Sequence, residues 1–250
     1  MQCDGDLFAV GCRFFLSGKD SVGLFPSMFT LSCWNLREQD YLRLCNAGEL
    51  AVYRGDSCLA FGKISDVFRR TVPEGAVTTA AFSLGLDLWE TPVSLAVEAG
   101  VPVSETVRRI LFASGTGIQL LSFPGGDPPS SRARAFCGRA AECISEALSA
   151  ASARGCLVPA GLRVIPKDPL PAAVHLAGKD LADRPAFADG GRKMILSAAV
   201  AGFRPGEWMT LSLEGRTASG LVLERFVEAD TGSGPWSTQL LVTLSQAPRR

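Results

Sequence analysis

Across residues 103–166 the apolar residues recur every three to four positions, whereas on both sides they alternate with polar ones in short runs broken by Gly and Pro. The first period is that of helices and the second that of strands. A chain written this way folds as an α/β module set into a β-rich body, so the class is α+β, mainly β. Within the module the spacing predicts a helix over residues 104–114, with Ser104 as N-cap, Glu105 in the first turn, and Val107, Ile110 and Leu111 on one face. A short strand over 118–122 and a Pro/Gly-rich turn follow. A longer helix is expected over 134–154, where Phe136, Ala140, Cys143, Ile144, Ala147, Leu148 and Ala151 form one stripe and Arg154-Gly155 a basic last turn and stop. A hairpin, 156–158 with 162–165, closes the module.

The flanks read as two meanders. In the first, a strand pair or one long strand over 7–16 ends at a Ser17-Gly18-Lys19-Asp20 turn, and a strand over 28–34 places Phe29, Leu31 and Cys33 on one covered side. One short helical turn or a bent helix over 36–44 stops at Asn46-Ala47-Gly48, and Arg54-Gly55-Asp56 turns a hairpin between 49–53 and 57–70. A strand over 76–84 follows, then an extended stretch holding Val93, Leu95 and Val97 after Pro92. Residues 166–191, rich in Pro and ending in Gly190-Gly191, are expected to be a mobile connection with at most a strand near 173–176. The second meander has strands over 194–201, 208–213, 217–229 and 236–244, with turns at Arg204-Pro205-Gly206-Glu207 and Glu214-Gly215-Arg216 and a loop over 231–235. The expected division is a first β-barrel-like region (1–100), an α/β insertion (101–166), a linker (167–193) and a second β-barrel-like region (194–250).

Composition removes several function classes. Lys+Arg and Asp+Glu both number 25, so no net field draws the chain to nucleic acid or an acidic membrane. The acidic start Met1-Gln2-Cys3-Asp4-Gly5-Asp6 has neither the basic nor the apolar region of a signal peptide, which predicts a soluble protein made in the cytosol. The uncharged stretch 110–126 is broken by Gly115, Gly117, Pro124 and Gly125, so no membrane span is expected. The mean hydropathy of +0.19 is high for a lone monomer and points to apolar surface that faces another subunit.

Candidate chemistry is sparse. The eight cysteines (Cys3, Cys12, Cys33, Cys45, Cys58, Cys137, Cys143, Cys156) contain no Cys-x-x-Cys pair and read as reduced, mostly buried small hydrophobes. The single His175 has no ligand at zinc spacing and no evident thiol partner. Gly-x-Ser-x-Gly is absent, and the glycines at 115–117 and 125–126 lack the P-loop and dinucleotide spacings. Glu224 and Glu228 share a strand face, and Asp180 lies near Asp183; paired carboxylates of this kind do acid–base work on sugars, and a solvated face is the plainer account. Trp34, Trp89, Trp208 and Trp236, at strand starts or ends, serve equally well as core plugs or interface anchors. No catalytic, cofactor-binding or metal-binding residue is therefore expected, and no cofactor.

Residues 50–64, a strand, a Gly-Asp turn and a second strand reaching Phe61-Gly62, resemble the segment that builds the first barrel in hub proteins of tailed phages and prophages. Thr106-Val107-Arg108-Arg109-Ile110-Leu111, the helix over 136–151 and the hairpin over 157–165 resemble the α/β insertion of that contractile-tail hub family. Arg204-Pro205-Gly206-Glu207, Gly220-Leu221-Val222 and Gly234-Pro235-Trp236-Ser237-Thr238-Gln239-Leu240 are similar to its second barrel. The resemblance implies a structural, non-enzymatic tail or baseplate protein of the virion, assembled in the cytoplasm of the bacterial host. Its implied form is a homotrimeric ring of pseudo-sixfold symmetry joining the tail tube protein to a spike or fibre protein. The alternative from the residues themselves is a cell-wall or polysaccharide hydrolase using Glu224 or Glu228, and a third reading is a carbohydrate-binding module using exposed tryptophans.

Overall fold

The structure, a computed structural model, describes residues 1–8, 11–166, 168, 170–172, 174–198, 202–232, 234 and 236–245. The chain begins with β1 (Gln2–Cys3), β2 (Asp6–Leu7), β3 (Phe14–Ser21), β4 (Ser27–Trp34) and α1 (Glu38–Asn46). Next come β5 (Glu49–Arg54), β6 (Ser57–Val72), β7 (Gly75–Leu84), α2 (Leu86–Glu90), β8 (Pro92–Val97) and α3 (Val103–Ser114). The middle continues with β9 (Leu120–Ser122), β10 (Arg134–Arg139), α4 (Ala140–Ser149), β11 (Arg154–Val158) and β12 (Gly161–Ile165). The last third holds β13 (Val174–Ala177), β14 (Ala186–Ala188), β15 (Lys193–Ala198), β16 (Trp208–Leu213), β17 (Arg216–Asp230) and β18 (Ser237–Leu244). The mainly β, α+β class expected from the two periodicities is the class observed.

These elements form two compact units, residues 1–20, 27–84 and 171–250 in one, residues 21–26 and 85–170 in the other. The first is built on one sheet whose path runs β14-β15-β18-β17-β3-β4-β7-β6-β5-β1-β2, with β16 on β17 and β13 on β16. The path is open, so the barrel-like meanders expected from the turns are not closed barrels; β14 and β2 remain at its ends. Two long strands let it wrap instead. β6 pairs with β5 through residues 57–63 and with β7 through residues 63–72, shifting register between Ile64 and Asp66. β17 pairs with β16 up to Leu221 and with β18 from Gly220, shifting between Val222 and Glu224. A bulge bends a strand and raises its twist, which allows each strand to serve two layers. One core gathers Phe8, Leu16, Phe29, Leu31, Leu50 and Phe82 with Val227 and Ala229 of β17. The other gathers Leu176, Met194, Leu196, Met209, Leu211 and Leu240 with Val222 of the same strand.

Several sequence expectations change within this unit. The Ser17–Asp20 stretch lies inside β3, paired with residues 28–30, rather than turning. Gly18 is required there for proximity: a Cβ on it would stand 2.2 Å from the Phe29 ring and 2.6 Å from the Met28 carbonyl oxygen. Part of the strand expected over 7–16 (residues 9 and 10), the end of that over 194–201 and two positions of the 231–235 loop fall outside the described residues, as does Ala173 of the short strand near 173–176. In the stretch expected to be a loose connection, β13 pairs in parallel with β16, and β14 pairs with β15.

In the second unit a β8–β10 ribbon and a β11-β12-β9 sheet pack with α2, α3 and α4. The helix expected over 134–154 is in fact β10 followed by α4. Phe136 is buried from the strand, opposite Leu95, and Gly138, at a φ of 147°, precedes the turn into the helix. Arg154-Gly155 starts β11 instead of ending the helix. Ser104 lies in the first turn of α3 and is not its cap; Asp127 accepts from the Ser104 N–H at 2.9 Å and from its hydroxyl at 2.6 Å. Trp89, expected near a strand end, is in α2, stacked on Phe25 at 5.3 Å, with its Nε1–H donated to the Leu24 carbonyl.

Candidate assembly face

The groups that sequence singled out for chemistry are dispersed. His175 is exposed on β13. All eight cysteines are free thiols: Cys3, Cys33, Cys143 and Cys156 are buried, Cys12 and Cys58 half-buried, Cys45 and Cys137 exposed. Burial, with the nearby Asp4 charge, pushes the Cys3 thiol up to about 12, and burial raises Cys58 and Cys143. Cys12 and Cys33 hydrogen-bond, which lowers Cys12 and, together with burial, raises Cys33. The raised thiols, Cys3, Cys33, Cys58 and Cys143, are held protonated and so are poor nucleophiles. Asp180 accepts the Ala177 N–H at 2.8 Å and so fixes a turn. Glu224 and Glu228 are four residues apart along β17, about 13 Å at the rise of a strand, beyond the ~5–9.5 Å that glycosidic carboxylates require. Among the described residues no group of three or more His, Cys, Asp or Glu is placed to hold a metal ion.

The tryptophans are tied into the fold. Trp236 meets Phe14 edge-on at 5.9 Å and carries Arg54 at 5.1 Å, and Arg13 lies 4.8 Å over Trp34. Trp208 starts β16, and its Nε1–H has no hydrogen-bond partner among the described residues.

What the strands do bring together is one continuous outer face of the large sheet. Directly paired residues point to the same side, so the register defines its rows. One row runs Ser83, Met28, Lys19 across β7, β4 and β3, and continues through the Lys19–Glu224 ion pair (2.8 Å) to Leu241 and Ile195. The next holds Ala81, Thr30 and Ser17, with Phe226, Gln239 and Ser197 on β17, β18 and β15. A third holds Thr79, Ser32 and Phe15, with Glu228 and Ser237 on β17 and β18; the Ser32 and Thr79 hydroxyls lie 3.1 Å apart. Ser83 and Thr79 at the β7 end are buried, so the open part runs over β4, β3, β17, β18 and β15, five strands that at ~4.8 Å spacing make a face roughly 19 Å wide. Its middle is hydroxyl-bearing or apolar, and Lys19 with Glu224 and Arg13 with Asp230 (3.7 Å) neutralise each other on it. Met28 at 51 %, Ile195 at 42 % and Phe226 at 36 % exposure leave apolar surface open on it. A weakly charged face with exposed large apolar side chains is the composition of a protein interface rather than a reaction site. Sequence reading identified Glu224 and Glu228 but could not group them with Ile195 or Met28, because the row crosses strands far apart in the chain.

No helix among the described residues is long and apolar enough to cross a membrane. No protein-family model matches the sequence, and no curated protein matches it. Solved structures do match in fold. A tail protein from Neisseria meningitidis superposes with a TM-score of 0.72 at 10 % identity, over 93 % of this chain and 92 % of that one. A 43 kDa tail protein of prophage MuSo2 from Shewanella oneidensis gives 0.65 at 10 % identity, over 97 % and 96 %. An E. coli component of the type VI secretion system, structurally similar to the T4 bacteriophage tail proteins gp27 and gp5, gives 0.69 at 8 % identity, over 98 % of this chain and 76 % of that one. The chain therefore has the fold of these tail proteins along nearly its whole length.

Proposed function

We propose that this protein is a structural tail or baseplate hub component, working through shape and interfaces and without covalent chemistry. The observation that carries the proposal is the match in fold to tail proteins over more than nine-tenths of this chain. The weakly charged outer sheet face supports it, since a ring subunit needs a broad surface that buries without desolvating lone charges. In this reading three copies form a ring in the virion tail. The β regions of 1–100 and 194–250 supply two pseudo-equivalent positions per subunit, which matches a threefold ring to a sixfold tail tube. The insertion at 101–166 is a separate module in this reading, and the expected linker 167–193 contributes β13 and β14 to the large sheet. The partners are the tube protein on one side and a spike or fibre protein on the other, with assembly in the host cytoplasm.

Light scattering on the purified chain tests the oligomer. The expected mass is that of a trimer, and electron micrographs taken with added tail-tube protein should show rings capping the tubes. A strict monomer at high concentration that forms no ring with tube protein would overturn the proposal.

A further inference from the structure

Inside the unit of residues 21–26 and 85–170 lies a cavity of about 160 Å³, between the β8–β10 ribbon, α3 and α4. Its walls include Val97, Val103, Phe136 and Ala147, and residues 128–131 form its roof. The roof is fixed in place. The Val103 N–H donates to the Pro128 carbonyl at 3.2 Å, the Gly100 N–H to Ser130 at 2.7 Å, and the Ser130 N–H to Val101 at 2.9 Å. Arg134 completes the lining and is its one charged side chain. It pairs with Val97 across the ribbon and lies two residues before Phe136, so it shares their inward face. Half-buried there, its guanidinium makes no ion pair and no side-chain hydrogen bond among the described residues. Of the three lining hydroxyls, on Thr106, Ser130 and Ser131, two are committed as donors, Thr106 to the Pro102 carbonyl and Ser130 to that of Arg132.

A partly desolvated guanidinium without a carboxylate, facing a cavity whose other walls combine apolar side chains with the Thr106, Ser130 and Ser131 hydroxyls, is half of a charge-assisted hydrogen-bond pair. The space equals about five water volumes, too small for a nucleotide or sugar chain and sufficient for a branched alkyl group carrying one anionic head. We propose that this cavity is a receptor site for a short branched aliphatic carboxylate, its head on Arg134 and its alkyl group against Val97, Val103, Phe136 and Ala147. A free acid and the C-terminal residue of a polypeptide ending in Val, Leu or Ile present the same chemistry. The site rests on residues 97–150 alone and does not depend on the ring reading.

Calorimetric titration of the full chain with 4-methylpentanoate, with N-acetyl-Gly-Gly-Leu and with the amide of that peptide tests it. One acid should bind, and the amide should bind about tenfold to a hundredfold more weakly than the peptide acid if the source is a chain terminus. Saturable binding of 4-methylpentanoate with no gain from the peptide assigns the site to a free acid. Arg134→Gln should lose the same factor, and Ala147→Leu should block entry; thermal melts establish that each variant is folded. If Ala147→Leu does not fold, Arg134→Gln and the acid–amide comparison on the unaltered chain still decide. Absence of saturable binding by either acid, or equal binding by the unaltered chain and Arg134→Gln, overturns the proposal.

Discussion

Arg225 on β17 is 3 % exposed and holds three strands at once. Its Nε donates to Asp20 Oδ1 at 2.9 Å, and its Nη2 to Asp20 Oδ2 at 2.6 Å and to the Leu59 carbonyl at 2.8 Å. Its Nη1 has no hydrogen-bond partner among the described residues. Buried charges are tolerated when paired bidentately, and removing one partner leaves the other stranded. Asp20→Ala is therefore expected to destabilise the fold by about 3–5 kcal/mol, read from the urea midpoint, while the double change Asp20→Leu with Arg225→Met recovers much of that loss. Cys3 titrates with the opposite emphasis. Its thiol is held protonated to about 12 in the folded chain against 9.0 for an ordinary thiol, so its contribution is fully present below pH 9.0 and lost as pH rises towards 12. Replacing Cys3 with Ala should flatten the fall of the thermal midpoint with pH across that window; an unchanged slope would assign the alkaline loss to other groups.

At the scale of elements, Asp127 caps α3 from a loop 23 residues away in sequence. Asp127→Ala removes this cap and is expected to cost about 1 kcal/mol, measured by chemical denaturation. The cap also shows where sequence reading succeeds and where it does not. α3 was legible because Val107, Ile110 and Leu111 repeat at helical spacing, but Ser104 looked like its cap because the true one is non-local. β10 was hidden in the α4 pattern: Phe136 lies four residues before Ala140, and only its pairing with Leu95 on β8 makes it a strand residue. Gly18 looked like a turn because its use, contact with the Phe29 ring, belongs to another strand. The outer face is illegible in sequence for the same reason, and nothing in the sequence marks Arg134, because lacking a partner is a property of the folded chain.

For the whole molecule, the proposed ring depends on the outer face of β4, β3, β17, β18 and β15. Phe226 and Ile195 are exposed on it, and their backbone pairing does not depend on their side chains. Phe226→Glu with Ile195→Lys should leave the circular dichroism spectrum and thermal midpoint near those of the unaltered chain while abolishing the proposed trimer in light scattering; a trimer of undiminished stability would place the subunit contact elsewhere. The same sheet fixes the order in which the chain matures on the ribosome. β3 has β4 on one side and β17 on the other, so the first core lacks Val227 and Ala229 until some two hundred further residues have emerged. At ~5–20 residues per second that is roughly 10–40 s during which β3 waits with one edge unpaired. Residues 85–170, whose strands and helices find one another within a short span, become structured in that interval, and the nascent chain is most open to wrong pairing at the edge that β17 finally covers.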